Sequence, residues 1–66
     1  MRIRFNDMEI ALPAGQSVAS LLAAQGVREQ GVAVALNGVV LARSRWADTL
    51  LNDGDELHLF TAIAGG

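Results

Sequence analysis

Polar and apolar side chains alternate through Arg2-Ile3-Arg4-Phe5, the period of a half-buried strand. Asn6-Asp7 is a turn pair, and Met8-Glu9-Ile10-Ala11-Leu12 alternates again, so the chain opens on a hairpin. Pro13-Ala14-Gly15 breaks the sheet, and the period then changes. Val18, Leu21, Leu22 and Gln25 recur at helical spacing with Ala19, Ala23 and Ala24 between them. Ser17 stands where a side-chain oxygen can cap the first turn, and Gly26 supplies a left-handed stop. The helix so bounded is about nine residues, too short to persist unless it packs on the sheet.

Beyond Arg28-Glu29-Gln30-Gly31, the segment Val32-Ala33-Val34-Ala35-Leu36 sends its larger side chains to one face and its alanines to the other. Asn37-Gly38 follows, a strong hairpin signal because both residues tolerate the positive φ of a type I′ turn, and Val39-Val40-Leu41 returns. Arg43 to Leu51 has no clear period and carries the only Trp. Asn52-Asp53-Gly54-Asp55 is a turn, and Glu56-Leu57-His58-Leu59-Phe60 is the last strand. The order β-β-α-β-β-β describes an α+β chain with one helix lying across a single mixed sheet. In a chain of 66 residues that order resembles the β-grasp, or ubiquitin-like, arrangement. The resemblance implies first and last strands that run parallel, side by side, at the centre of the sheet. The expected organisation is a β-grasp domain over 1–60 and a flexible C-terminal tail over 61–66.

Composition narrows the function classes. A chain this short buries only about 60% of the surface its unfolded form exposes, yet 52% hydrophobic residues suffice for one small core. No apolar run approaches the roughly 20 residues that span a bilayer, and no signal-peptide pattern opens the sequence, so the expectation is a cytoplasmic protein with no membrane partner. With no Cys there is no disulfide, thiolate ligand or thiol nucleophile. All five basic residues are arginines against seven acids, a net charge of −2, where a nucleic-acid binder would show a basic excess. Lacking lysine, the chain offers no side chain for isopeptide-linked polymers of itself.

The last residues carry the candidate chemistry. At average glycine usage a Gly-Gly end arises by chance in roughly one chain in 200. Without Cβ atoms, Gly65 and Gly66 can thread a narrow slot, which suits a carboxylate that must enter another protein's active site. A frayed terminus, where small residues also collect, explains the pair alone about as well. Six extended residues, Thr61 to Gly66, reach about 20 Å at roughly 3.3 Å each, far enough for the end to enter a deep site while the body docks outside.

The segments Phe5-Asn6-Asp7, Ala14-Gly15-Gln16-Ser17-Val18, Arg43-Ser44-Arg45-Trp46, Asp53-Gly54-Asp55 and Phe60 followed by Ala64-Gly65-Gly66 stand in order along the whole chain. In that order and spacing the chain resembles the thiamin-pathway sulfur carrier family (ThiS). It departs from the family's habit in having Ser20 where a capping-box Glu is common, and Leu41-Ala42 where many relatives place a proline. The resemblance implies a carrier that is not itself an enzyme and binds no cofactor. A ThiF-like activating enzyme, using ATP and Mg²⁺, would adenylate the Gly66 carboxylate. A sulfur donor such as a cysteine desulfurase persulfide would then displace AMP, directly or through an acyl-disulfide, to leave a thiocarboxylate. A ThiG-like thiazole synthase would receive that sulfur. Ile63, Ala64, Gly65 and Gly66 would enter the partner's active site.

A flexible tail cannot select an enzyme, so docking falls to the body. With Leu57 and Leu59 facing the helix, period two puts His58 and Phe60 on the opposite sheet face with Arg2 and Arg4, an aromatic anchor bordered by guanidinium groups. The alternative is a strand that ends at Leu59 and a Phe60 folded back into the core. Other features read plainly. His58 has no second His or Cys for a zinc site, and Asp53-Gly54-Asp55 lacks the spaced ligands of a calcium loop. No metal site is expected. Ser17 and Ser20 have no base within helical reach, and Trp46 reads as a cover at the core's edge. Three further functions share the shape: the small subunit of molybdopterin synthase, a carrier for tRNA thiolation or protein modification, and a non-carrier β-grasp binding module of the RNA-associated TGS kind. The first has relatives that are usually longer, with prolines before the tail. The last needs no Gly-Gly end.

Overall fold

The computed structural model describes residues 1–61. The expected order is present: β1 (Arg2–Phe5), β2 (Met8–Ala11), α1 (Val18–Ala24), β3 (Val32–Leu36), β4 (Val39–Leu41) and β5 (Glu56–Thr61), with a 3₁₀ turn over Arg43–Arg45 before β5. The five strands form one sheet in the order β2-β1-β5-β3-β4. β1 and β5 run parallel at its centre, and the β1–β2, β3–β5 and β3–β4 pairs are antiparallel. This is the β-grasp arrangement, with α1 across one face. β5 extends to Thr61, paired with Val32. The rest of the expected tail, 62–66, with the candidate residues Ile63, Ala64, Gly65 and Gly66, lies outside the described residues.

Period two decides what is buried. Ile3, Val34 and Leu57 point to the helix side and close a core with Val18, Leu21, Leu22, Trp46 and Leu51. α1 is seven residues rather than about nine: Ser17 caps its start as expected, and its C-cap is Gln25, one residue before Gly26. At the start, Ser17 Oγ accepts from the Ser20 N–H at 3.0 Å. At the end, the Gly26 N–H donates to the Ala23 carbonyl and the Val27 N–H to that of Leu22, the paired bonds of a Schellman stop with Gly26 at φ +72°.

The aperiodic stretch after β4 fills the gap at the helix start. The Val18 and Ala19 N–H groups, which have no partner within the helix, donate to the carbonyls of Thr49 and Trp46. The Leu51 N–H donates to the Gln16 carbonyl. Trp46 is not a cover at the core's edge: it is 2% exposed, because its indole N–H reaches the Leu41 carbonyl at 3.1 Å and can go inside satisfied.

Candidate functional site

β5 is the last described strand, and it is held from both sides by the turns beside it. Asn37, in the β3–β4 turn at φ +52°, donates its N–H to the Glu56 carbonyl and accepts the Glu56 N–H on Oδ1 at 2.9 Å. Its amide also donates to Asp55 Oδ1. At the other end Asn6, in the β1–β2 turn at φ +49°, donates its N–H to the Leu57 carbonyl. Its side chain then accepts the Leu59 N–H on Oδ1 at 2.8 Å and donates from Nδ2 to the Leu59 carbonyl at 3.2 Å. Asp53 Oδ1 accepts the Arg2 N–H at 2.7 Å, so the Asp53-Gly54-Asp55 turn ties β1 and the β3–β4 hairpin to the start of β5. The sequence marked these asparagines and aspartates as turn formers. Their grip on β5 is made across many residues of chain, which no local pattern shows.

Among the described residues, nothing covers the sheet face away from α1. Arg2, Arg4, His58 and Phe60 all stand on it, as alternation requires. Phe60 is 46% exposed, within the strand rather than folded into the core. The four do not form one cluster. Arg4 lies level with Glu56, four residues before Phe60, about 13 Å along the strand at roughly 3.3 Å per residue. The expected guanidinium border is therefore not around the aromatic ring. Arg2 binds Glu9 at 2.8 Å and Arg4 lies 3.9 Å from Glu56, so the β1–β2 half of the face is a set of exposed ion pairs.

The β5–β3–β4 half is different. Phe60 pairs with Ala33, His58 with Ala35, and Ala35 with Val40. Of the large apolar side chains left exposed (Met8, Val39, Val40, Leu50 and Phe60), alternation places Val40 and Phe60 on this face. They and the two alanines make an apolar strip broken only by His58. Ala33 and Ala35 were legible as one face of their strand. What the sequence lacked was the register that sets them beside Phe60.

Among the described residues, no group of three His, Asp or Glu side chains is placed to hold a metal ion. A dent of about 190 Å³ beside Arg2, Glu9, Ile10 and Ala11 falls below the roughly 300 Å³ where ligand pockets begin, and it sits away from the end of β5. No described helix is long and apolar enough to cross a membrane. The features that remain are a last strand held at both ends and an exposed strip beside its end.

Comparison with known proteins places that geometry. The family model of the ThiS family matches residues 2–66. The chain belongs to the ThiS family. It is 42% identical to the sulfur carrier protein ThiS of Escherichia coli strain K12, with the whole of both chains aligned. It is also 35% identical, over all 66 residues, to a fifth of the length of a protein named thiazole synthase from Paramagnetospirillum magneticum strain AMB-1. Among solved structures, the crystal structure of the thiamine biosynthesis protein ThiS from Geobacter metallireducens superposes with a TM-score of 0.83 at 31% identity, covering both chains completely. The solution structure of a thiamine biosynthesis protein from the same organism gives 0.75 at 30% identity, over this whole chain and 88% of that one.

Proposed function

We infer that this chain is a sulfur carrier of thiamin biosynthesis, a protein co-substrate rather than an enzyme. The observation that carries the reading is the end-to-end 42% identity to a sulfur carrier, on a fold with β5 at the centre of the sheet. The reactive group is the Gly66 carboxylate. A carboxylate resists nucleophiles because it is an anion without a good leaving group. A ThiF-like activating enzyme therefore joins it to the α-phosphorus of ATP, with pyrophosphate leaving, and the acyl-adenylate presents a carbonyl carbon that sulfur can attack. A persulfide from a donor such as a cysteine desulfurase attacks that carbon and AMP departs, leaving an acyl-disulfide. A partner's thiolate then attacks the donor-side sulfur, a disulfide forms between them, and the other sulfur stays on the carrier as the thiocarboxylate. The group then travels covalently on the carrier.

The receiving partner is a ThiG-like thiazole synthase. A synthase that devotes a fifth of its length to a segment resembling this chain supports that pairing, since carrier and acceptor act on the same sulfur. In this reading the body through Thr61, the end of β5, docks and 62–66 is the arm, with Ile63, Ala64, Gly65 and Gly66 inside the partner's active site. Phe60, with His58 beside it, is the anchor. Arg2 and Arg4 act at the rim.

The test uses the full chain with its cognate activating enzyme, ATP and a sulfur donor. Intact mass should show one terminal oxygen replaced by sulfur. A chain lacking Gly66 should melt as the full chain does and take up no sulfur. Sulfur at an internal residue, or normal modification of the shortened chain, would overturn the reading.

A further inference from the structure

We propose that Asn6 is a positioning residue for sulfur loading, because its side-chain amide stands in for the missing end of β1 and fixes the last residues of β5 against it. The inference rests on the carrier reading above. In a parallel pair, one strand's N–H and C=O groups bond alternately to residues two apart on the other. The Arg4 N–H donates to the Asp55 carbonyl and the Asn6 N–H to that of Leu57, so Asp55, Leu57 and Leu59 turn their backbone groups toward β1. A longer β1 would next offer Leu59 the Asn6 backbone carbonyl, and then an N–H two residues on. The chain instead turns away at Asn6, where φ is +49°.

The Asn6 side chain supplies both replacements from one amide. Oδ1 takes the Leu59 N–H at 2.8 Å and Nδ2 gives to the Leu59 carbonyl at 3.2 Å. Leu59 is thereby hydrogen-bonded on the β1 side, where it would otherwise have no strand partner, and stands opposite Val34 in the register with β3. Phe60 and Thr61, the next residues, pair with β3 alone. Among the described residues, Asn6 is thus the last tie on the β1 side of β5, one residue from the Phe60 ring. A body that docks through Phe60 and threads its end into an active site needs a fixed span between anchor and reactive carbon. A fraying Leu59 would blur both ends of that span.

Asn37 is a built-in control. It also sits in a positive-φ turn and also gives its side-chain oxygen to a β5 N–H, but at Glu56, the first residue of the strand. Glycine keeps the positive φ at either position and removes the amide. Amide hydrogen exchange and steady-state loading kinetics should therefore be measured on the wild type, Asn6→Gly, Asn6→Asp and Asn37→Gly, with the activating enzyme and carrier concentration varied. Asn6→Gly should speed exchange at Leu59 and raise the KM for the carrier on the order of tenfold at unchanged kcat, the size one or two net hydrogen bonds convert to. Asn6→Asp, which keeps the acceptor and loses the donor, should fall between. Asn37→Gly should speed exchange at Glu56 and leave KM alone, even where its melting point drops as far.

An Asn6→Gly chain with an unchanged KM, or an Asn37→Gly chain whose KM rises equally, would overturn the positioning role while leaving the carrier reading intact. Unchanged Leu59 exchange would overturn the clamp itself. A wild-type chain that takes up no sulfur would sink both.

Discussion

The two faces of this sheet are made from the same strands and do opposite work. In β5 the residues Leu57 and His58 are neighbours, yet Leu57 is fully buried and His58 is exposed. The covered face holds Ile3, Val34 and Leu57 against α1 and Trp46, with no buried polar side chain. The open face mixes ion pairs on its β1–β2 half with an apolar strip on its β3–β4 half. In the proposed reading, stability and docking fall to alternate residues of the same strands. A one-residue slip in register would exchange the two sets, which is why the turns that fix β5 matter as much as its side chains.

The largest effect should come from the covered face. Leu57→Ala removes a fully buried side chain from the central strand, a change that typically costs about 2–5 kcal/mol. Small single cores rarely supply more than about 3–5 kcal/mol in total, so the variant should lose most of its cooperative melt. Circular dichroism on heating checks this. A midpoint within a few degrees of wild type would mean that Leu57 does not anchor the core and that the division between faces is wrong.

Phe60→Ala tests the other side of the comparison three residues away. The ring is half exposed, so the melt should shift little, while binding to both the activating enzyme and the synthase should weaken at least about 30-fold, the size of a true aromatic anchor. Calorimetry on each complex gives the affinities. Unchanged affinity removes Phe60 from the interface, and a large loss of stability moves it into the core's account.

Val40→Glu sharpens the boundary of the strip. Val40 is 69% exposed, so the fold should tolerate the change, within about 0.5 kcal/mol. A carboxylate on the strip would have to be desolvated on docking, and an affinity loss of roughly tenfold is expected. Wild-type affinity for both partners would confine docking to the β5 side of the face.

The division between faces was legible in the sequence because alternation is local. Arg2-Ile3-Arg4-Phe5 and Leu57-His58-Leu59-Phe60 announce which residues turn which way, and Ser17 and Gly26 announce the helix between. Two things were not legible. The segment from Arg43 to Leu51 has no period because its backbone works tertiarily, giving the Trp46 and Thr49 carbonyls to the first N–H groups of α1. The register of β1 on β5 depends on Asn6 and Asp53 reaching residues 53 and 51 positions away. Alternation therefore put Arg4 and Phe60 on one face correctly and could not show that they stand at different heights.

That difference in height sets the smallest prediction. The Arg4–Glu56 pair is long at 3.9 Å, and both side chains are more than half exposed, at 60% and 51%. Exposed pairs of this kind contribute about 0–1 kcal/mol, so Arg4→Ala should barely move the melt. Placed about 13 Å from Phe60 along the strand, the guanidinium is a rim charge, and rim charges act on encounter more than on the bound state. Arg4→Ala should lower the association rate with an acidic partner surface a few-fold at low salt. The difference should fade as ionic strength rises and the Debye length shortens toward about 8 Å. Stopped-flow association at two salt concentrations measures it. A salt-independent loss carried by the dissociation rate would place Arg4 inside the interface, and the open face would then be one docking surface from β2 to β4 rather than two halves.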